Sequence, residues 1–450
     1  MLGRIFIRIH EHLPCYLNIM NREILKISIP SIVTNITVPL LGMVDVAIVG
    51  HIGDASYIAA IALATMVFNL IYWNFGFLRM GTSGLTAQAF GAEDKEEYLN
   101  VLVRGIVIAL SVAVILLLLQ YPIALLCRRL IDSSPHTIDL MLTYFYIRIW
   151  AAPATISLYV LKGWFLGMQN AASPMWVATV LNLVNIVFSL LFVYAFDAGI
   201  AGVAWGSVLA QYSGLLLAII IWVRRYGHFW QDIRWRAALQ WRKMIRFFQV
   251  NADIFIRSLC MIAVFTFIPY ISSSMGDEIL AANTLLMQLF TLTSYVMDGF
   301  AYAGESLVGK YVGARNSQKL HLTIRYLMYW GVGLAVFFTL LFVFGGEMLL
   351  RILAKDEEVI GTAMQYMFWT YLLPFTGFAA FIFDGIYIGA TATAAMRNVM
   401  FVATAVFFLL YYWLAARWGN NALWFAFIFF LIFRGLLMAL GQKKYVLDRV

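Results

Sequence analysis

Residues 100–126 read NVLVRGIVIALSVAVILLLLQYPIALL, an apolar run with a single charged residue, Arg104. About 20 predominantly apolar residues are enough for a helix to cross the hydrocarbon core of a bilayer. Because lipid offers no hydrogen-bond partner to backbone N–H and C=O groups, a run of this length is expected to be helical. The stretch therefore predicts a transmembrane helix.

Similar runs recur along the chain, separated by short polar breaks. Of the 450 residues, 63% are hydrophobic and 12% are charged, whereas a soluble domain is nearer one half apolar and one quarter charged. We predict an all-α polytopic membrane protein whose twelve transmembrane helices form two parallel-repeat six-helix bundles around a central cavity. The predicted helices lie at roughly 28–51, 56–80, 100–126, 139–167, 173–196, 199–223, 246–273, 279–308, 321–346, 360–389, 396–417 and 421–441.

Several function classes are excluded by the same sequence. The three cysteines, Cys15, Cys127 and Cys260, form no CxxC pair and indicate neither a disulfide framework nor a metal site. There is no GxxxxGK[ST] loop, so ATP hydrolysis is not expected. The net charge of +8 fits basic cytoplasmic loops better than nucleic-acid binding. We expect no cofactor and no enzymatic activity.

Basic residues predict the orientation. The break between the sixth and seventh runs contains seven of them against one acid, Asp232, and both termini are also basic. An even number of crossings places all three regions on one side, which the positive-inside rule assigns to the cytoplasm. We predict a multi-pass protein of the plasma membrane (the bacterial inner membrane), monomeric, with both termini cytoplasmic. Met20 could be an alternative start, which leaves the status of residues 1–19 open. The predicted divisions are 1–27 (cytoplasmic segment), 28–223 (first bundle), 224–245 (basic linker), 246–441 (second bundle) and 442–450 (tail).

An internal repeat relates the two halves. Gly163-x-x-x-Gly167 recurs as Gly385-x-x-x-Gly389, and other pairs of motifs recur at a nearly constant offset in residue number. Six crossings per half is an even number, so both halves enter the membrane from the same side. Transporters built from parallel repeats bind substrate between the halves and move one against the other for alternating access. The other pairs are Gly53-Asp54 with Gly276-Asp277, Gly91-Ala92 with Gly313-Ala314, and Tyr144 with Tyr366.

Asp45 is the first candidate functional residue. It lies deep in the first crossing, six residues after Pro39, and shares a helical face with Asn35. A proline removes one backbone hydrogen bond and can act as a hinge, leaving carbonyl oxygens unpaired near the carboxylate. Such a group can bind a proton or a transient Na⁺, although a purely structural carboxylate is the alternative.

Polar residues in the fifth crossing form a second candidate. Asn182, Asn185 and Ser189 follow one another at three- and four-residue spacing, so they form one stripe of a helix. The stripe could line the same cavity as Asp45. Interhelical hydrogen bonding alone could equally explain it.

The second half supplies more buried acids. In the seventh crossing, Asp253 and Arg257 are four residues apart and can form an internal ion pair, or Asp253 can bind the coupling cation. In the eighth, Asp298 and Glu305 share a face, so one of them is expected to hold a proton or face a cation. Asp384 matches Lys162 of the first half and could pair with it. The remaining cavity candidates are Asn251, Asn283, Gln288 and Tyr302.

These residues resemble a known family. PSIVTNITVPLLGMVDVAIVGHIGD (30–54) and GTSGLTAQAFGAED (81–94) are similar to the opening of the MATE (multidrug and toxic compound extrusion) family. NADIFIRSLC (251–260), GDEILAANTLLMQ (276–288), MDGFAYAGESLVGKYVGAR (297–315) and FDGIYIGAT (383–391) resemble its DinF-like branch. The resemblance extends from about residue 22 to residue 441 and covers both repeats.

The resemblance implies two six-helix bundles and export driven by H⁺ or Na⁺. It implies that Asp45 is the first-helix coupling aspartate and that Asn185 belongs to the same site. It also matches Asp253, Asp298, Glu305 and Asp384 to acidic positions of the carboxy-terminal half. One departure is Ser189, in NIVFS, where many members have Asp. A flippase for lipid-linked saccharides is the alternative, favoured by Arg148, Lys162, Arg257 and Arg434; a membrane enzyme would need a DDxxD-like run, which the sequence lacks.

Overall fold

The computed structural model describes residues 19–37, 47–48, 55–232 and 235–450, and in this part of the chain all regular structure is helical. The helices are named α1 to α16 in chain order. Their bounds are α1 (19–37), α2 (Ala55–Trp73), α3 (Gly76–Gly91), α4 (Lys95–Leu118), α5 (Gln120–Leu130), α6 (Pro135–Arg148), α7 (Ala152–Gly167), α8 (Ala172–Leu190), α9 (Gly199–Tyr226), α10 (Trp235–Ala238), α11 (Trp241–Ser273), α12 (Asp277–Gly313), α13 (Ser317–Leu353), α14 (Glu357–Gly389), α15 (Thr393–Trp418) and α16 (Asn420–Tyr445).

Eleven helical segments within the described ranges are long and apolar enough to cross a membrane. They correspond to the second through twelfth predicted crossings, so the prediction of a polytopic all-α membrane protein is confirmed. Two crossings contain a break: α2 and α3 form Ala55–Gly91, and α6 and α7 form Pro135–Gly167. The first predicted crossing extends from α1 beyond the described residues.

Several helices begin at the capping residues that the polar breaks supply. Asp94 accepts a hydrogen bond from the Glu97 backbone N–H at 2.9 Å and caps α4. Asn316 does the same for α13 through the Lys319 N–H at 3.0 Å. Such caps satisfy backbone donors that the first turn of a helix leaves unpaired, and each is worth about 1 kcal/mol.

The repeat is visible in the turn geometry. The caps Asp94 and Asn316 occupy equivalent positions of the two halves, and each follows a residue with positive φ, Glu93 (φ 57°) and Arg315 (φ 51°). Gln169 (φ 61°) and Thr391 (φ 49°) are related by the same offset in residue number. Left-handed backbone is costly for residues other than glycine, so its recurrence at one offset indicates that both halves have the same local fold.

Helix packing repeats at the same offset. A methyl group added at Gly163 would overlap the carbonyl oxygen of Arg79, and one at Gly385 would overlap that of Ala301. The offset that relates the two glycines also relates their two partners. Gly167 and Gly389 likewise face the carbonyl oxygens of Ser83 and Glu305. Small residues allow this close approach of backbones, which supplies the packing that holds membrane helices together.

The chain divides into two compact units. The carboxy-terminal unit contains the described residues of Met1–Ile32, Phe90–Glu93 and Ala252–Val450, and the amino-terminal unit contains those of Val33–Ala89 and Asp94–Asn251. Aromatic residues recur in the core of the carboxy-terminal unit, where Phe290 packs against Phe427 at a ring distance of 5.1 Å. The predicted domain boundaries at 28–223 and 246–441 stay a prediction.

The segment predicted as a polar linker, 224–245, is largely helical where it is described. Helix α9 continues to Tyr226, a short 3₁₀ helix spans Gly227–Asp232, and α11 begins at Trp241. Long arginine side chains can reach water from a helix end, so their charges do not end the helices where hydropathy alone predicts.

Candidate functional site

The first-choice coupling residue, Asp45, and the predicted hinge, Pro39, lie outside the described residues. The structure does describe α1 up to Thr37, which precedes Asp45 by eight positions. It also describes α8, which carries the polar stripe predicted from the sequence, and α9, which packs beside it. The contacts of the end of α1 can therefore be described within the amino-terminal unit alone.

The polar stripe of α8 faces two different helices of the amino-terminal unit. Asn182 donates from Nδ2 to the Thr37 carbonyl oxygen of α1 at 3.0 Å. Asn185, fully buried, donates from Nδ2 to the Ser207 hydroxyl of α9 at 3.0 Å. Ser189 is also fully buried and packs against Gly206 of α9. The stripe thus connects α8 to α1 at one point and to α9 at two.

Two oxygen atoms of this stripe have unused hydrogen-bonding capacity. Asn185 Oδ1 and Ser189 Oγ are buried and have no hydrogen-bond partner among the residues that the structure describes. A buried polar atom without a partner costs free energy, and a functional role is one explanation for its retention. Of the three residues in the stripe, Asn182 has the contact closest in sequence to Asp45.

Two further predicted cavity residues are placed by local contacts. Asn251 donates from Nδ2 to the Phe247 carbonyl oxygen, one turn earlier, at 2.7 Å and packs against Gly81 of α3. Both Asn251 and Gly81 lie in the amino-terminal unit, although Asn251 was predicted from the second half of the sequence. Asn35 is half-buried on α1 and has an interaction partner.

Asp384 of α14 lies in a buried cluster with two arginines of the carboxy-terminal unit. Its Oδ2 accepts from Nη2 of Arg257 on α11 and, at 2.6 Å, from Nη2 of Arg434 on α16. Arg434 is only 1% exposed and Asp384 is 6% exposed. Asp384 is thus bound by two arginines of its own unit, and the suggested pairing with Lys162 of the other unit stays a prediction.

The internal pair predicted within α11 is replaced by contacts with other helices. Arg257 binds Asp384, whereas Asp253 binds Arg397 of α15 with 2.5 Å between Oδ1 and Nη1. Thr393 donates its hydroxyl to the other Asp253 oxygen at 3.0 Å. Residues four apart can pair along a helix, but each here finds a partner on a neighbouring helix. Asp253 therefore ties α11 to the start of α15.

The predicted residues of α12 have different environments. Glu305 is 1% exposed, Tyr302 is half-buried and Gln288 is exposed. Asp298 is half-buried and close enough to Arg434 for the two charges to interact. The α12 face predicted as one carboxylate pair therefore also involves a cation from α16.

Asn283 has a structural environment. Its Nδ2 donates to the Ser272 hydroxyl and to Asn420 Oδ1, each at 2.7 Å. Its Oδ1 accepts from Asn420 at 3.0 Å and from the Trp424 indole at 2.9 Å. A buried amide with all its hydrogen bonds satisfied fixes helix positions, so Asn283 connects α11, α12 and α16.

The sequence pattern did not reveal which acids the basic residues bind. Arg434 lies inside a predicted crossing and was considered only as a feature that favours the flippase, although buried arginines need a partner as much as buried acids do. Arg397 was assigned to the beginning of a crossing and not considered. Thr393 gave no signal, because a lone threonine near a helix start is usually a cap or a turn residue.

Within the described ranges, no group of three or more His, Cys, Asp and Glu side chains is arranged to hold a metal ion. Among the predicted site residues, an amide and hydroxyl stripe lies in the amino-terminal unit and arginine–carboxylate contacts lie in the carboxy-terminal unit. Asp253 and Asp384 are two predicted coupling acids of the carboxy-terminal unit, and each is paired with at least one arginine side chain.

Comparisons with known proteins agree with this fold. The MatE family model matches two stretches, residues 30–191 and 254–414, one in each repeat. Among solved structures, an outward-facing multidrug resistance MATE family transporter has a TM-score of 0.83 at 19% identity, covering 96% of both chains. The Vibrio cholerae transporter VcmN in its bent form has a TM-score of 0.83 at 16% identity, covering 96% of this chain and 98% of that one.

Relatives by sequence cover nearly the whole chain. Multidrug resistance protein MdtK of Yersinia pseudotuberculosis is 21% identical over 86% of this chain and 85% of its own length. DNA damage-inducible protein F of Escherichia coli is 34% identical over 96% of this chain and 94% of its own length. With a family model matched in both halves and a relative this similar along its length, the chain belongs to the MatE family of membrane efflux transporters.

Proposed function

We propose that this protein is a secondary antiporter that exports small organic compounds, often cationic or amphipathic, in exchange for H⁺ or Na⁺. Export proceeds by alternating access of the two bundles, and Asp45 is the main coupling residue. Family membership supports the transport class. The choice of Asp45 follows from the charges described in the carboxy-terminal unit.

One observation supports Asp45 above Asp253 and Asp384. Asp384 is bound by two arginines and Asp253 by one arginine and a threonine. A carboxylate that is already paired with a guanidinium group has its charge compensated, so it is less available to bind a second cation. For either residue to bind a coupling ion, its arginine must first move away.

The second acid usual in the amino-terminal half is also missing. Ser189 is buried and cannot ionise in the working range, so a site that contains Asp45 would have one carboxylate. One carboxylate can exchange one proton for one substrate charge without a second acid. We therefore propose H⁺ as the first coupling ion to test, with Na⁺ near Asp45 or Asp253 as the alternative.

The remaining predicted residues have supporting roles in this proposal. Asn182, Asn185 and Asn35 would position Asp45 or contact substrate, and Pro39 would permit bending of the first crossing. Asp298, Tyr302 and Glu305 would respond to the Arg434 charge during transport. We propose a monomer in the plasma membrane, the bacterial inner membrane, with both termini in the cytoplasm.

Dye efflux tests the proposal. In a pump-deficient bacterial host, the parent chain should lower accumulation of a cationic dye, and Asp45→Asn should remove that effect at equal membrane expression. Asp132→Asn, at a polar break between α5 and α6, is the matched control and should transport normally. Unaltered efflux by Asp45→Asn would exclude the proposed role of Asp45.

Liposomes then identify the coupling ion. Purified protein is reconstituted, and substrate movement is measured under an imposed H⁺ gradient or an imposed Na⁺ gradient. Only the H⁺ gradient should drive transport by the parent chain, and Asp45→Asn should respond to neither. Transport driven by Na⁺ alone would refute the proton assignment while leaving the antiport proposal intact.

The buried arginines favour a second candidate, a flippase for lipid-linked saccharides. Arg257 and Arg434 both bind the single carboxylate of Asp384, and guanidinium groups bind phosphates well. A fluorescent lipid diphosphate in the same liposomes distinguishes the two candidates. Translocation of that lipid without dye export would favour the flippase.

A further inference from the structure

The described part of the linker between α9 and α11 has a surface that combines exposed tryptophans with arginines. Trp230 is 64% exposed and Trp241 is 76% exposed. Each is large and apolar, and the helices on either side are long and apolar enough to cross a membrane. The linker surface consists of Arg224, Arg225, Trp230, Trp241, Arg242 and Arg246, all in the amino-terminal unit and all exposed.

The linker is held in place by a buried ion cluster. Arg104 of α4, 2% exposed, donates from Nε to the Ala238 carbonyl oxygen at 2.6 Å and pairs with Glu97 at 2.7 Å. Lys243 of α11 binds the other Glu97 oxygen at 3.0 Å. Because a buried guanidinium group is costly unless its donors are satisfied, this contact fixes α10 against α4.

Aromatic contacts hold the 3₁₀ helix Gly227–Asp232 in the same way. Phe229 packs edge-on against Tyr98 of α4 with ring centres 5.7 Å apart. Trp230 packs against Trp222 of α9 at 6.1 Å while most of its surface stays exposed. The described part of the linker is therefore docked on its own unit, and the six residues of the linker surface are exposed.

The charge of this surface is uncompensated. Lys243 pairs with Glu97, which it shares with Arg104, but none of the four exposed arginines forms an ion pair with a residue that the structure describes. Asp232 is the one acid in the described part of the linker. The surface lies where α9 ends and α11 begins, two helices long and apolar enough to cross a membrane. Tryptophan rings and basic side chains are both favoured at the bilayer interface, so we expect the surface to lie there.

We infer that the linker surface binds the headgroups of anionic phospholipids in the bilayer. The four arginines supply charge complementary to phosphate, and Trp230 and Trp241 supply apolar rings that enter the interfacial layer. This interaction is additional to the proposed transport function and does not depend on it. Anionic lipid bound here would hold the docked linker, and the amino-terminal unit with it, at a fixed depth.

Lipid retention measured by native mass spectrometry tests the inference. The parent chain is purified from mixed micelles that contain equal amounts of phosphatidylglycerol and phosphatidylcholine, and the retained lipids are counted. Arg225→Gln/Arg242→Gln/Arg246→Gln should lower the ratio of retained phosphatidylglycerol to phosphatidylcholine about fivefold or more, the effect expected of even one basic residue at an anionic surface.

A control variant removes the same charge elsewhere. Arg129→Gln/Lys355→Gln/Arg417→Gln changes three exposed basic residues outside the linker and should keep the parent's ratio. Equal losses in both variants would attribute the preference to net charge and overturn the inference. An unchanged ratio in the linker variant would overturn it as well.

A second measurement avoids dependence on the triple variant. Phosphatidylglycerol brominated on its chains quenches the fluorescence of tryptophans that it contacts. Trp241→Phe should remove a component that brominated phosphatidylglycerol quenches more strongly than brominated phosphatidylcholine, and added salt should abolish the difference. Equal quenching by the two lipids in the parent would refute the proposed headgroup preference.

Discussion

The two halves of the chain share a backbone and differ in charge. Gly163 and Gly385 face carbonyl oxygens at equivalent positions, Arg79 and Ala301. One residue earlier, however, the first half has Lys162 and the second has Asp384. The partners of Asp384 are Arg257 and Arg434, and the first half has Tyr212 at the position equivalent to Arg434.

This difference indicates which features a duplicated fold must keep. Close helix contact depends on backbone atoms, and almost any added side chain would separate the helices. A buried charged residue is tolerated when its own unit supplies an ion-pair partner. Such a residue can therefore be replaced if its partner is replaced as well. The halves therefore retain their packing and have acquired different polar interiors.

The largest expected effect tests the shared packing. Gly385→Val and Gly163→Val should each prevent accumulation of folded protein, because the added side chain overlaps a neighbouring backbone carbonyl that cannot move aside. Fluorescence-detected size-exclusion chromatography of detergent extracts measures the folded yield. The control is Gly333→Val on α13, where an added Cβ meets no atom within 4 Å. Normal yield from only one of the two buried variants would show that the halves do not pack alike.

The next effect tests the difference in charge. Asp384→Asn leaves two buried arginines without their anion and should destabilise the protein by about 3–5 kcal/mol. Thermal unfolding in detergent measures the change as a lower transition temperature. Lys162→Met, at the equivalent position, should have a much smaller effect because Lys162 forms no ion pair with a described residue. Similar losses in both would refute the proposed asymmetry.

A smaller effect is expected at Asn283. Asn283→Leu leaves the Asn420 and Trp424 groups without their shared partner, whereas the Ser272 hydroxyl keeps its hydrogen bond to the Ile268 carbonyl oxygen. The expected cost is about 1–3 kcal/mol in total. The first half has Ile61 at the equivalent position, and it is fully buried. Ile61→Leu in the same thermal assay is the control and should change stability less. A stable Asn283→Leu variant would show that the network contributes little.

The smallest expected effect is at the partly exposed ion pair of Arg397 and Asp253. Arg397→Met should destabilise the protein by about 1 kcal/mol, because the arginine is partly exposed and water screens its interaction with Asp253. It should also leave Asp253 available for a cation, so sodium-dependent stabilisation would be seen in the variant and not in the parent. Absence of that difference would indicate that Thr393 alone keeps Asp253 occupied.

The sequence predicted the helices well because each crossing needs a long apolar run. It also predicted the repeat, since glycine pairs recur at one offset. It did not predict the turns, because the left-handed residues there are Glu93, Arg315, Gln169 and Thr391 instead of glycine. Their conformation is imposed by the packing of the helices that they connect.

The candidate site was predicted in part. The α8 stripe has the hydrogen bonds to other helices that its spacing suggested, but two acids of the second half are engaged by arginines from distant segments. Spacing along one helix favoured a pair between Asp253 and Arg257. Partners 127 and 144 residues away bind them instead.

By itself the sequence determined the membrane class, the crossings and the duplication, because each follows from local hydropathy or from a comparison of the chain with itself. The tertiary structure decided which charges meet. An arginine on α16 and another on α11 reach the same carboxylate oxygen of α14, a contact that no spacing along the chain encodes. Low-dielectric surroundings make such pairings obligatory, since an isolated buried charge costs far more than a paired one.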